Sequence, residues 1–147
     1  MNIINLKSIK GLNVYKSDTM HPWGIVRNIS LNRISGKIDT LLIDTISLIP
    51  LSHIIDIHNI YQIKNNSIYL KNPCYNISEK CPDYLSELKI GERIILPNNN
   101  LTRLRDLHFD TETGEITDIV VSQNKLAKKN KIPINKIYIK DNTIYVD

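Results

Sequence analysis

Val26-Arg27-Asn28-Ile29-Ser30-Leu31-Asn32-Arg33-Ile34-Ser35-Gly36-Lys37-Ile38-Asp39-Thr40-Leu41-Leu42-Ile43 and Leu104-Arg105-Asp106-Leu107-His108-Phe109-Asp110-Thr111-Glu112-Thr113-Gly114-Glu115-Ile116-Thr117-Asp118-Ile119-Val120-Val121 are one pattern written twice. Aligned without a gap, apolar residues coincide at 26/104, 29/107, 31/109, 38/116, 41/119 and 43/121, arginine at 27/105 and glycine at 36/114. Self-similarity at a fixed spacing marks a duplicated structural unit. The chain of 147 residues therefore reads as two copies of one small domain.

The copies extend outward from this stretch. Gly11-x-x-Val14 echoes Gly91-x-x-Ile94, Ile49-Pro50 echoes Ile132-Pro133, and Lys64-Asn65-Asn66-Ser67-Ile68-Tyr69-Leu70 matches Lys140-Asp141-Asn142-Thr143-Ile144-Tyr145-Val146. These echoes place a first repeat at 1–72, a linker at 73–88 and a second repeat at 89–147. The linker holds Pro73, Pro82, Cys74 and Cys81, and one helical turn is predicted near Asp83 to Leu88. Units of about 60 to 70 residues sit near the lower limit for an independent core, so the two copies are expected to lean on each other.

Composition specifies strands. Isoleucine is the commonest residue and alanine occurs once, at Ala127; β-branched side chains suit a pleated surface better than a helix. Ile25, Ile29 and Leu31 are predicted to share one face of a strand, as are Leu107 and Phe109 in the second copy. Asn32 to Gly36 and Asp110 to Gly114 are then hairpin turns in which glycine supplies the positive φ. Pro50 and Pro133 belong at strand or turn entry, because proline inside a central strand removes a ladder hydrogen bond. Five short strands per unit predict an all-β chain of two small SH3-like barrels, packed as a pseudo-dimer.

At 41% hydrophobic and 23% charged the composition is that of an ordinary globular domain. No apolar run is long enough for a membrane-spanning helix, and Met1 to Leu6 lack the pattern of a secretory signal, so a cytoplasmic protein is expected. Residues 1–72 hold eight Lys/Arg against four Asp/Glu, whereas residues 73–147 hold eleven of each. A basic first half could attract nucleic acid. The densest basic cluster, Lys125, Lys128, Lys129 and Lys131, lacks the interleaved aromatics of a single-strand RNA platform.

Each copy resembles the PRC-barrel family, named for the H subunit of the photosynthetic reaction centre. The likeness is carried by the opening Gly11-x-x-Val14 or Gly91-x-x-Ile94, by the hairpin Val26-x-x-Ile29-x-Leu31 to Gly36-x-Ile38 or Leu104-x-x-Leu107-x-Phe109 to Gly114-x-Ile116, and by the Ile-Pro step. The second copy, through Asp106 to Ile116, is the closer match. In the first, Met20-His21-Pro22-Trp23-Gly24 replaces a short polar turn, and Ile54 to Tyr61 are expected as added residues after the Ile-Pro step. The resemblance implies two tandem PRC barrels doing adaptor work in a bacterial cytoplasm, since similar domains serve in the H subunit, in the C-terminal half of a ribosome-maturation factor and in small proteins of spore formers. It implies no catalytic residue and no cofactor.

Candidate chemistry elsewhere is thin. Asp110-x-Glu112-x-Gly114-Glu115 lacks the twelve-residue ligand series of a calcium loop. Cys74 and Cys81 lack zinc-site spacing, and His53 and His58, five apart, align on neither a strand face nor a helix face. No GxSxG, P-loop, GxGxxG or HExxH is present. No enzyme, no metal and no cofactor are therefore expected.

The sharpest functional candidate is Met20, His21, Pro22 and Trp23, where the sole tryptophan meets a flexible apolar methionine. Either this turn exposes a partner-binding surface, or Trp23 folds back over the barrel end or the inter-repeat seam. The leading expectation is an interaction module for a cytoplasmic protein partner. The second is an RNA- or ribosome-associated factor using the basic first half, and a homo-oligomer is left open.

Overall fold

The computed structural model describes residues 2–16, 20–72, 85–141 and 143–147. Among the described residues the chain is all-β apart from one short α-helical turn and three 3-10 turns, and its strands form two sheets of seven. β1 (Ile3–Asn5) leads through α1 (Leu6–Ile9) into β2 (Asn13–Tyr15), β3 (Gly24–Asn32), β4 (Ile38–Thr45), β5 (Ser52–Asp56), β6 (Ile60–Lys64) and β7 (Ser67–Leu70). The second half runs β8 (Leu85–Glu87), β9 (Arg93–Ile95), β10 (Leu101–Asp110), β11 (Ile116–Ser122), β12 (Asn130–Pro133), β13 (Ile137–Lys140) and β14 (Thr143–Val146).

The sheets have one strand order. β5-β4-β3-β2-β7-β6 in the first half corresponds to β12-β11-β10-β9-β14-β13 in the second, and in both the pair β2–β7 or β9–β14 is parallel. The long hairpins agree residue by residue. Val26↔Ile43, Ile29↔Leu41 and Leu31↔Ile38 become Leu104↔Val121, Leu107↔Ile119 and Phe109↔Ile116, and irregularities fall at matching places in both ladders. The turns match as well: Asn32 Oδ1 accepts from Ile34 N, Asp110 Oδ1 accepts from Glu112 N, and Gly36 and Gly114 take φ of 72° and 78°. Among the described residues no ladder joins β5 to β6 or β12 to β13, so each sheet is open.

Ile29, Leu31, Ile38, Leu41, Leu107, Phe109, Ile116 and Ile119, apolar positions that the two copies share, are all buried. Ile25 is not; it is 40% exposed, while Val26 is buried. A bulge at Arg27, between the pairs of Val26 and Asn28, resets the phase of the strand, so alternation counted from Ile29 back to Ile25 misses by one residue. The buried side chains of both halves form one continuous cluster, to which Leu6 and Ile9 of α1 contribute while packing toward β3 and β10.

The halves are also laced together by strand exchange. β1, at the start of the first repeat, pairs with β10 of the second; β8, which precedes the second, pairs with β3 of the first. Leu85–Glu87 is thus a strand where the linker was expected to turn helically, because the long hairpin offers it an edge. Cys74 and Cys81 lie outside the described residues. Each repeat holds six strands of its own rather than five, since a 3-10 turn at Ile57–Asn59 or Ile134–Lys136 separates β5 from β6 and β12 from β13. The register also corrects an alignment. Thr40↔Asp56 corresponds to Asp118↔Pro133, so Ile132-Pro133 is equivalent to Ile55-Asp56 and not to Ile49-Pro50. Ile54 to Tyr61 is therefore no insertion apart from one residue, at the irregularity between Ile60 and Gln62.

Candidate functional site

The turn before β3 and the loop after β4 meet at Trp23. Trp23 N–H donates to Val14 O at 2.7 Å and Trp23 O accepts from Ile46 N at 3.0 Å, so the backbone of this one residue joins β2 to the β4–β5 loop. Gly24 follows because a Cβ there would lie 2.7 Å from Asp44 O. The indole is half-buried against the core, with the His53 ring at 5.1 Å and Lys16 Nζ 4.3 Å from its centroid. Lys16 over the indole face is a cation–π contact.

The four candidate residues part company around this anchor. Pro22 is half-buried beside Trp23, His21 is exposed, and Met20 projects with 93% of its surface free. The structure adds a neighbour that repeat matching passes over. Residues 46–51, between β4 and β5, expose Ile46, Leu48, Ile49 and Leu51, with Leu48 fully solvated and Ile49 78% exposed. The loop is held in shape by Thr45: its N–H donates to Leu51 O at 2.8 Å and its Oγ1 accepts from Leu51 N at 2.9 Å. Ser47 Oγ caps Ile49 O at 2.6 Å. A loop so tied presents its aliphatic tips without burying them. Its signal is in the sequence, as four aliphatics in six residues with no alternation; matching Ile49-Pro50 to Ile132-Pro133 treats it only as part of the shared Ile-Pro step.

The equivalent loop of the second repeat, between Ser122 and Asn130, has the opposite chemistry. Lys125, Lys128 and Lys129 are exposed there, and Lys131 approaches Asp118 Oδ2 at 3.5 Å. One end of the molecule is therefore aliphatic and its counterpart basic.

The other candidate groups that the sequence singles out are engaged in structural contacts. His58 sits 2.7 Å from Asp56 and His53 lies on Trp23, so the two histidines serve different contacts. Asp110 and Glu112 of the calcium-like stretch are spent on the hairpin turn and on Asn2 Nδ2. His108 Nδ1 lies 2.7 Å from Asp118 Oδ1 on facing positions of β10 and β11. Burial pushes the Glu92 carboxyl above the usual carboxylate range, against the opposing pull of the Lys89 backbone and charge. No group of three His, Cys, Asp or Glu among the described residues could hold a metal, and no helix among them is long and apolar enough to cross a membrane. Compared with protein-family models and with curated proteins, the chain matches none.

Proposed function

We propose that the chain is a non-enzymatic interaction module, a pair of PRC-like, SH3-like barrels packed as a pseudo-dimer, that binds a cytoplasmic protein through the surface around Trp23. The observation that carries this reading is the exposure of Met20, Ile46, Leu48, Ile49 and Leu51 about one half-buried indole. Solvating that much aliphatic surface is unfavourable, and exposed apolar patches mark partner sites. Tryptophan is also among the residue types enriched in binding hot spots.

The test is affinity capture with the full chain from its own cells, comparing wild type with Leu48→Ser/Ile49→Ser, with and without nuclease. Loss of a stoichiometric protein in the double variant, insensitive to nuclease, supports the reading. The exposed lysines between Ser122 and Asn130 favour the second reading, an RNA- or ribosome-associated factor, although these lie in the second repeat and not in the basic first half. Capture that survives the double variant but vanishes with nuclease would replace the first reading by the second.

A further inference from the structure

A groove of about 830 Å³ opens on another face, where the first repeat meets the strand it lends to the second. One wall is β1 with Ile3 and Ile4; the other is β6 with Ile60 and Ile63, and Lys71 and His58 stand at the margin. Each wall is a sheet edge with a neighbouring strand on one side only among the described residues. β1 pairs only with β10 and β6 only with β7 among the described residues, so the outer amides and carbonyls of both lack ladder partners. Rows of unpaired backbone groups are templates for an added strand.

Two further observations single out this edge. β6 carries one residue more than its sister β13: Ile60↔Leu70 is followed by Gln62↔Tyr69, which leaves Tyr61 over, whereas Ile137 to Lys140 pair one to one with Val146 to Thr143. A bulge on an edge strand re-aims side chains, and Tyr61 stands 69% exposed beside the groove. Charge supplies the second. Glu112 is held by Asn2 Nδ2 at 3.1 Å and His58 by Asp56, whereas Lys71 has no ion-pair partner among the described residues. The groove therefore presents at its margin one lysine without an ion-pair partner among the described residues, with the Glu112 carboxylate, occupied by Asn2, also in its lining.

We infer that this groove takes an extended protein segment as an added strand on β6, with alternate apolar side chains lying on Ile3, Ile4 and Ile63 and an acidic side chain opposite Lys71. The main-chain ladder supplies affinity and the alternating side chains supply selectivity. The inference extends interaction to a second face and does not depend on Met20 or Trp23.

The test uses the full chain as bait for a displayed library of random decapeptides, with the best peptide resynthesised plain and N-methylated at alternate residues. Selected peptides should alternate apolar and acidic positions and slow hydrogen exchange at the amides of β6. N-methylation, which removes ladder donors but keeps the side chains, should weaken binding by about tenfold or more, since the ladder carries the affinity. Lys71→Glu should reverse the preference for acidic peptides, and Trp23→Ala should leave binding unchanged. Failure to select any peptide, protection confined to another edge or to residues 46–51, or equal binding of the N-methylated peptide would overturn the inference. None of these results bears on the Trp23 surface, which the capture experiment reads separately.

Discussion

Asn5 donates from Nδ2 to Oδ2 of Asp106 at 2.6 Å and so fastens the strand that opens the chain to a hairpin in the other half. The sister contact is the same bond with its chemistry exchanged. Asn28 stands where Asp106 stands, Glu87 stands where Asn5 stands, and Asn28 Nδ2 donates to Glu87 Oε1 at 3.0 Å. Asp106 Oδ1 and Asn28 Oδ1 each also take the N–H of the following residue, Leu107 or Ile29, just past the bulged arginine. One amide and one carboxylate therefore clip each exchanged strand, whichever side supplies them.

Asn28 is the more consequential of the two clips, because it is buried and also bonds Leu88 O. Asn28→Ala leaves that carbonyl and the Ile29 amide short of a partner and should cost about 2 kcal/mol. Asp106→Ala should cost roughly 1 to 2 kcal/mol at neutral pH. Denaturant melts give both values. A double-mutant cycle of Asn5→Ala with Asp106→Ala should show coupling near 1 kcal/mol, whereas additive losses would mean the pair does not hold β1.

The two turn glycines should behave differently despite their shared φ. An added Cβ at Gly36 meets nothing within 4 Å, so Gly36→Ala bears only the left-handed backbone penalty of about 1 kcal/mol. At Gly114 the same Cβ would run into Ile38 O of the first repeat, whose own N–H donates to Gly114 O at 2.8 Å. Gly114→Ala should therefore cost roughly 3 kcal/mol, because a backbone atom cannot yield as a side chain can. Equal thermal shifts for the two variants would show that the hairpin tip does not touch the first repeat.

Much of this architecture is legible in the sequence. The gap-free match of 26–43 to 104–121 gave the hairpins, their turns and eight core residues, because burial on one face forces apolar periodicity to repeat with the fold. What escaped has physical causes. The bulge at Arg27 breaks the period of two, so Ile25 was misassigned. Ile3–Asn5 and Leu85–Glu87 are three residues each, too short for periodicity, and their pairing with the distant repeat leaves no local trace. At the candidate site Trp23 was visible by rarity, whereas residues 46–51 were hidden by a two-residue coincidence of Ile-Pro.

Glu92 gives a pH test. Its carboxyl is raised above the ordinary 4.5 chiefly by burial, and Oε2 has no hydrogen-bond partner in the structure. A raised folded-state affinity means the folded chain holds the proton more tightly than the unfolded chain. Stability is therefore lost as pH rises from the unfolded value through the folded one, and the penalty is complete above it. Glu92→Gln should accordingly be more stable than wild type at pH 7, with the advantage shrinking to nothing below about pH 4. Urea midpoints measured across that range check the slope, and a constant difference between the proteins would rule out the proton as its source.

Trp23 and Met20 should separate scaffold from contact surface. Trp23 joins β2 to the β4–β5 loop through its backbone and packs its ring on the core, His53 and Lys16, so Trp23→Ala removes packing that holds the exposed loop in place. A half-buried indole should be worth about 2 kcal/mol, below the 3 to 5 of a fully buried one. Met20→Ser, at a nearly free side chain, should change stability by less than about 0.5 kcal/mol. If the surface binds a partner, both substitutions weaken that binding, Met20→Ser by direct loss of contact and Trp23→Ala additionally by loosening residues 46–51. Hydrogen exchange at the Ile46 amide, bonded to Trp23 O, distinguishes the routes: it should quicken in Trp23→Ala and stay unchanged in Met20→Ser. Unaltered exchange in both, together with weakened binding in both, would assign Trp23 a direct contact in place of a positioning role.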